Sequence, residues 1–198
     1  MITAQRLTFE QYLQLDQGSD QRYELIDGRL VQLPPESEPN ASIANYLFLQ
    51  FVAAGISFRL LHPHACELQV PVLQPGDPAN RYPDLVLLRA EHLQQTQRRL
   101  TITFDLLPPH LVVEVVSPGT QNRIRDYERK QQQYAARGVP EYWLVDPLES
   151  ALIIWQLEAG QYRQFNRFIG QDLIQSPQLQ ALAADLSLTV EQIFSAVQ

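Results

Sequence analysis

The sequence is poor in cysteine and has no long apolar run. Cys66 is the only cysteine among the 198 residues, so an intramolecular disulfide is impossible and the chain suits a reducing compartment. No basic stretch followed by an apolar segment of signal length opens the chain, and nowhere do about 18 apolar residues follow one another. We therefore expect a cytoplasmic protein that does not cross a membrane.

Positive charge is also scarce. With 22 acidic and 15 basic residues the formal net charge is −7, which excludes the overall basic surface by which many proteins attract nucleic acid. A local basic groove remains open, although each arginine alone is more often a solvated surface residue. The arginines of the middle of the chain are Arg98, Arg99, Arg123, Arg125, Arg129 and Arg137.

The composition is that of a globular protein. Hydrophobic residues make up 45% and charged residues 19%, and no linker, repeat or low-complexity tract interrupts the chain. A chain of this length can bury a substantial core without disulfides or a structural metal. We expect a single domain over residues 1–198.

In the N-terminal part, cap and turn signals predict two helices and a hairpin. Thr8 and Gln11 form a capping-box pattern at the start of a short helix. Asp27-Gly28 favours the positive φ angles of a tight turn, so residues 22–33 should form a β-hairpin. Apolar residues at three- and four-residue intervals over 41–54 indicate an amphipathic helix.

The rest of the chain predicts a sheet with helices. LVVEVVS at 111–117 has apolar residues on both faces, which is typical of a central strand covered on both sides. A helix should follow from about 121 to 137, because Gly138 and Pro140 stop it. Other predicted elements are strands at ELQVPVL, PDLVLL, EYWLVD, ALIIWQL and QYRQFNRF, a short helix and surface loop at 91–110, and a closing helix after the capping-box pattern of Thr189 and Gln192. This order predicts a mixed sheet flanked by helices, an α/β or α+β fold.

Glu114 and Asp84 are the first candidates for chemistry. Glu114 lies among valines in the predicted central strand, and a buried carboxylate requires a basic side chain or a metal ion as partner. Asp84 opens another predicted strand. Two carboxylates on neighbouring strands match the one or two that Mg²⁺ takes besides water and phosphate oxygens. A structural salt bridge to an arginine is the alternative for Glu114.

Lysine occurs once, at position 130, beside 14 arginines. Arginine stays protonated, whereas the pKa of a lysine can fall in a buried site or near a metal, which lets lysine orient or deprotonate water. Asp126 lies one helical turn earlier and could orient the ammonium group. The alternative is an ordinary exposed lysine.

Five motifs in order resemble the Uma-type restriction endonucleases of the PD-(D/E)XK nuclease superfamily. The motifs are YELIDG at 23–28, YPD at 82–84, VVEVVSP at 112–118, the lysine-bearing helix, and GVPEYWLVDP at 138–147. The resemblance implies a restriction-endonuclease-like core in which Asp84 and Glu114 bind Mg²⁺ or Mn²⁺. Val116 stands where the general superfamily pattern has lysine. In the Uma-type family the lysine comes from the following helix, at the position of Lys130.

The resemblance further implies a metal-dependent endonuclease that hydrolyses DNA phosphodiester bonds, acts as a homodimer and uses no organic cofactor. Asp84, Glu114 and Lys130 would be catalytic, and Glu24 resembles an additional acidic residue of the metal shell, although an exposed hairpin glutamate is the alternative. Three arginines on the lysine-bearing helix are candidates for contacting the DNA backbone, but helix periodicity lets only a subset face one way. They are Arg123, Arg125 and Arg129.

Other functions remain open. One is a nucleic-acid-binding protein that keeps the nuclease fold without catalysis. Another is a structural or interaction protein in which Asp84, Glu114 and Lys130 form a buried salt-bridge network. Zinc bound by the segment 62–66, with two histidines and Cys66, is disfavoured because a structural site normally needs a fourth ligand and no second His/Cys cluster lies nearby. Asp146, which precedes Pro147, is expected to be a turn residue.

Overall fold

The computed structural model describes residues 6–15, 21–182 and 184–197. The strands are β1 Tyr23–Ile26, β2 Arg29–Gln32, β3 Leu61–Pro63, β4 Glu67–Gln69, β5 Asn80–Arg81, β6 Leu85–Leu87, β7 Thr101–Ile102, β8 Leu111–Val115, β9 Glu141–Asp146, β10 Ala151–Glu158 and β11 Gln161–Ile169. The α-helices are α1 Phe9–Gln14, α2 Glu38–Ala53, α3 His92–Gln95, α4 Thr120–Ile124, α5 Gln131–Arg137, α6 Pro177–Ala181 and α7 Val190–Ser195. None of the described helices is long and apolar enough to span a bilayer.

A six-stranded mixed sheet forms the centre of the fold. Its strand order is β11-β10-β9-β8-β6-β3, in which β8 and β9 are parallel and the other neighbours are antiparallel. All five residues of β8 are buried, as expected for a strand with neighbours on both sides and cover on both faces. The predicted central strand is confirmed, and it becomes the support for Glu114.

Apolar side chains cover both faces of this sheet. On one face Leu111, Val113 and Val115 of β8 pack with residues of α2 and α7. On the other face Val112 and Val116 join a second cluster with residues of α5 and β4. Alternation along the strand therefore places Glu114 on the second face, beside the helix that follows β8.

The N-terminal hairpin packs beside a small three-stranded sheet. Asp27 and Gly28 have φ angles of 49° and 77°, as the tight turn between β1 and β2 requires. A Cβ at Gly28 would also lie 2.7 Å from Cβ of Arg6, so glycine alone fits this turn. The small sheet has the order β5-β4-β7, and the backbone N–H of Ala79 donates to the carbonyl of Leu25 to join it to the hairpin.

Several predicted boundaries differ from the structure. The helix expected at 41–54 begins at Glu38, because Ser37 caps it and proline fits its first turn. The expectation of only a short helix and surface loop at 91–110 is wrong in part: α3 is present, but β7 is a buried strand that pairs in parallel with β4. Neither β3 nor α6 was predicted.

The lysine-bearing helix departs from regular α geometry. It runs through residues 120–137, and a π-helical segment, Arg125–Lys130, lies between α4 and α5. It ends as predicted at Gly138, which adopts φ 86°. The π-helical segment carries Asp126 and Lys130, two of the residues singled out from the sequence.

Candidate active site

The sheet brings Asp84 and Glu114 together. Leu85 pairs with Val113 in the antiparallel ladder of β6 and β8, so the next step of the register places Asp84 opposite Glu114. The backbone N–H of Val115 donates to Oδ2 of Asp84 at 2.6 Å. Asp84 is 5% exposed and Glu114 1%. The structure thus places the two carboxylates side by side, as the sequence led us to expect, and it buries Asp84 as well as Glu114.

Lys130 reaches this pair from the following helix. Its Nζ lies 2.6 Å from Oε2 of Glu114 and 3.0 Å from Oδ1 of Asp126. Val116 instead packs in the apolar cluster on the same face of the sheet, at 2% exposure. The side chain from the helix thus supplies the positive charge that β8 itself lacks, and Asp126 is in contact with it.

Tyr134 completes the environment of Glu114. It lies four residues after Lys130, is fully buried, and its hydroxyl donates to Oε1 of Glu114. Oε2 of Glu114 therefore accepts a hydrogen bond from the charged Lys130 and Oε1 accepts one from the neutral Tyr134. Together they hold the carboxylate in one orientation. Tyr134 was not predicted as a site residue, although its (i, i+4) spacing from Lys130 places it on the same side of the helix.

Burial and neighbouring charges shift the pKa values of Glu114 and Lys130. Burial raises the pKa of Glu114 to about 7, and Asp84 and Asp126 act in the same direction against the opposing effect of Lys130. Burial alone would lower the pKa of Lys130, but Glu114 and Asp126 outweigh it and raise that pKa above its ordinary value. The sequence left open a fall in the pKa of Lys130, and its contacts with Glu114 and Asp126 act in the opposite direction. In these contacts Lys130 is an ammonium group that donates to both carboxylates.

Asp126 is ionised despite its burial. Burial opposes ionisation, but the charges of Lys130 and Arg125 hold the pKa of Asp126 below its ordinary value. Its Oδ1 accepts from Arg125 at 3.1 Å, while its buried Oδ2 has no hydrogen-bond partner among the residues that the structure describes. The group of Asp84, Glu114 and Asp126 carries three carboxylates against two cations.

This donor set fits a divalent cation. Hard cations such as Mg²⁺ prefer one or two carboxylate oxygens with water and phosphate oxygens, and Asp84 and Glu114 offer such oxygens. When all three carboxyl groups are ionised, one negative charge remains after Lys130 and Arg125 are counted, and a divalent cation would offset it. A bound cation would also favour the ionised form of Glu114, which burial disfavours.

A cleft of about 280 Å³ opens beside these groups. Asp84, Lys130 and Glu24 line it together with Arg125 and Glu36. The carboxylate of Glu24 is not a free hairpin glutamate, because Nη1 of Arg81 lies 3.1 Å from its Oε1. Glu24 thus lies in the same cleft as Asp84, while a role in holding a metal stays a prediction.

A known protein family matches most of this chain. The sequence profile of the Uma2 family, described as "Putative restriction endonuclease", matches residues 9–191. The chain belongs to the Uma2 family. A crystal structure described as "a putative nuclease belonging to DUF820", from Anabaena variabilis ATCC 29413, is similar over 97% of this chain and 99% of that chain. The TM-score is 0.65 at 17% sequence identity, which shows the shared fold, a mixed sheet flanked by helices. A comparison with curated proteins found no match.

The three arginines predicted to contact DNA lie in two places in this Uma2 protein. Arg123 lies 2.5 Å from Oδ2 of the buried Asp146. Arg125 and Arg129 line a groove of about 380 Å³ next to the cleft, together with Arg81. We call this surface, defined by Arg81, Arg125 and Arg129, the arginine groove. Only two of the three predicted arginines share it, in accord with helix periodicity.

Other singled-out residues have structural roles in the Uma2 chain. Asp146 accepts from the backbone N–H groups of Leu148 and Glu149, which confirms it as a turn residue. Cys66 is buried and its Sγ contacts the carbonyl of Glu67. His64 lies instead beside Asp84, a position that the sequence did not reveal.

Proposed function

We propose that this Uma2 protein is an endonuclease that hydrolyses DNA phosphodiester bonds with a bound Mg²⁺ or Mn²⁺. The observation that carries the proposal is the contact of the single lysine with the buried carboxylate of Glu114, at 2.6 Å, at the edge of an open cleft that Asp84 also lines. Family membership and the nuclease fold support it.

The site residues have different roles in the proposed reaction. Asp84 and Glu114 would hold the cation, and a cation held there would polarise a phosphate oxygen and lower the pKa of a bound water. Lys130 keeps its proton, so its ammonium group can donate hydrogen bonds to the attacking water or to the phosphate as negative charge develops. Tyr134 keeps Glu114 in the orientation that faces Lys130.

The arginine groove supports a polyanionic substrate. Arg125 lines both the cleft and the groove, so a phosphate backbone along the groove would pass the carboxylate pair. Backbone contacts of this kind position a nucleic acid without specifying its sequence. A homodimer, which would provide two sites for the two strands, stays a prediction, as do the single domain over 1–198 and the cytoplasmic location.

The proposal is tested by cation titration and plasmid cleavage. Wild type is compared with Glu114→Gln and with Glu158→Gln, a matched change at an exposed glutamate whose ion-pair partner among the described residues is Arg163 at 3.1 Å. We expect Glu114→Gln to lose Mg²⁺ and Mn²⁺ binding in calorimetry and to cut plasmid more than about 100-fold more slowly. Glu158→Gln should behave like wild type.

The rival functions predict other results. Cation and DNA binding by the wild type without cleavage would favour the non-catalytic nucleic-acid-binding protein. Absence of cation binding, with unchanged or raised stability when Asp84, Glu114 and Lys130 are all exchanged for apolar residues, would favour a structural salt-bridge network.

A further inference from the structure

His64 is fixed beside Asp84 by the backbone. Pro63 pairs with Leu85 in the antiparallel ladder of β3 and β6, and the N–H of His64 continues it by donating to the carbonyl of Asp84 at 3.0 Å. Because the register of β6 and β8 places Glu114 opposite Asp84, three side chains of types that can bind a metal lie in a row at the ends of β3 and β6 and on β8. The row is His64, Asp84, Glu114.

The imidazole of His64 has no hydrogen-bond partner within the described part of the chain. Both ring nitrogens are shielded from solvent, and Nδ1 lies 3.4 Å from Oδ1 of Asp84 without forming a hydrogen bond. Buried polar atoms are nearly always paired, because an unpaired one loses its interaction with water. Nδ1 of His64 is therefore placed where it and the carboxylate of Asp84 could bind one ion together.

Glu36 brings a second carboxylate to the same place. One ligand atom from each of Glu36, His64 and Asp84 lies within 4.8 Å of the other two. Arg22 links Glu36 to His64, because it donates to Oε1 of Glu36 at 3.0 Å and to the carbonyl of His64 at 3.3 Å. The second oxygen of Glu36 remains available, and both Glu36 and Asp84 line the cleft.

We propose that His64 and Glu36 complete the cation site at Asp84 and make it prefer a divalent first-row transition ion, such as Mn²⁺, to Mg²⁺. The inference rests on the proposed function and deepens it. Mg²⁺ takes oxygen ligands and keeps several waters, whereas an imidazole nitrogen favours the transition ions. A mixed set of one nitrogen and carboxylate oxygens therefore selects against Mg²⁺.

The test compares the affinities of Mn²⁺ and Mg²⁺ in four proteins. These are wild type, His64→Asn, Glu36→Gln and the control His62→Asn. Asparagine is chosen because His64 adopts φ 52°, which asparagine tolerates, and His62 is a matched control because its Nε2 contacts the carbonyl of Arg59 instead. By calorimetry we expect wild type to bind Mn²⁺ at least about 10-fold more tightly than Mg²⁺, with the ratio approaching one in His64→Asn.

Glu36→Gln should weaken both cations, and His62→Asn should change neither. A direct measurement needs no variant: the electron spin echo of Mn²⁺ bound to wild type should show modulation from a coordinated nitrogen, and His64→Asn should lose it. Wild-type protein without this modulation, or an unchanged affinity ratio in His64→Asn, would overturn the inference.

The inference and the proposed function can fail separately. Suppose that Glu114→Gln loses Mg²⁺ binding and cleavage, but that Mn²⁺ bound to wild type shows no nitrogen modulation. The nuclease proposal would then stand, and only the role of His64 would be refuted. Wild type that binds neither Mn²⁺ nor Mg²⁺ would overturn both.

Discussion

At the scale of single residues, the chemistry of the site depends on how Glu114 shares its two oxygens. Lys130 binds one oxygen and Tyr134 the other, and both partners come from the helix that follows β8. The ion pair holds Lys130 protonated, while burial keeps Glu114 close to titration near neutral pH. Protonation of Glu114 and cation binding are therefore competing events.

Cation binding at pH 7 should release a fraction of a proton from Glu114. Its pKa is raised to about 7, so a large fraction of the protein carries that proton at neutral pH, and a coordinating carboxylate must be ionised. Affinity for Mg²⁺ should thus fall as the pH drops below 7 and level off above it. Calorimetry at pH 7 in two buffers of different ionisation enthalpy should give different heats, and the difference should vanish at pH 8.5. Equal heats at pH 7 would contradict the prediction.

Tyr134→Phe should damage both stability and cation binding. Removing the hydroxyl leaves a buried carboxylate oxygen without its donor, which costs about 1–3 kcal/mol in the free energy of unfolding. Cation affinity should also fall roughly 10-fold, because Glu114 loses its orientation. Tyr162→Phe is the matched control, since the hydroxyl of this half-buried tyrosine donates to the carbonyl of Val139. It should lower stability in urea denaturation without changing cation affinity.

At the scale of elements, the helix that carries Lys130 shows what the sequence can and cannot predict. Gly138 and Pro140 mark its end, and the apolar strand before it marks its start, so its limits were predictable. The π-helical segment Arg125–Lys130 was not, because a change from (i, i+4) to wider hydrogen bonding has no residue signature. That segment sets which side chains reach Glu114.

Contacts between distant segments were predictable only where a motif marked them. The proximity of Asp84 and Glu114 was predictable because Asp84 opens one apolar strand pattern and Glu114 lies within another. The resemblance to a nuclease family supported the same pairing. His64 beside Asp84 depends on the register of β3 with β6, and β3 is only three residues long. Glu36 arrives from the loop after β2, whose path no periodicity describes.

Deleting Glu128 should preserve the helix and abolish activity. A π-helical turn holds one more residue than an α-helical turn, so removing this exposed residue lets residues 120–137 become a regular α-helix. Asp126 and Lys130 would then lie three positions apart, and the upstream part of the helix would rotate relative to Glu114. We expect unchanged helicity by circular dichroism but a cleavage rate lower by roughly 100-fold. Glu128→Ala, which keeps the spacing, should cut normally, and an active deletion variant would exclude a role for the π geometry.

At the scale of the whole molecule, the net charge opposes nucleic-acid binding. The net charge is −7, yet the arginine groove gathers three guanidinium groups beside the cleft. Each also has an acidic neighbour: Glu24 for Arg81, Asp126 for Arg125 and Asp77 for Arg129. Phosphates must therefore compete for these groups in a generally repulsive field, which makes binding steeply dependent on salt.

Arg129→Ala should weaken DNA binding equally for all sequences. Its side chain is 40% exposed and its partner Asp77 keeps a hydrogen bond from the N–H of Gln74, so the fold should tolerate the change. Because the variant can no longer pair with one DNA phosphate, the slope of log affinity against log salt should become shallower by about 1. Fluorescence anisotropy with duplexes of several sequences, without divalent cation, measures both quantities.

Arg163→Ala is the control, because this exposed arginine of β11 pairs with Glu158 and does not line the arginine groove. A loss of affinity that varied with DNA sequence would show that Arg129 contacts bases, and an equal loss in Arg163→Ala would show that only net charge matters.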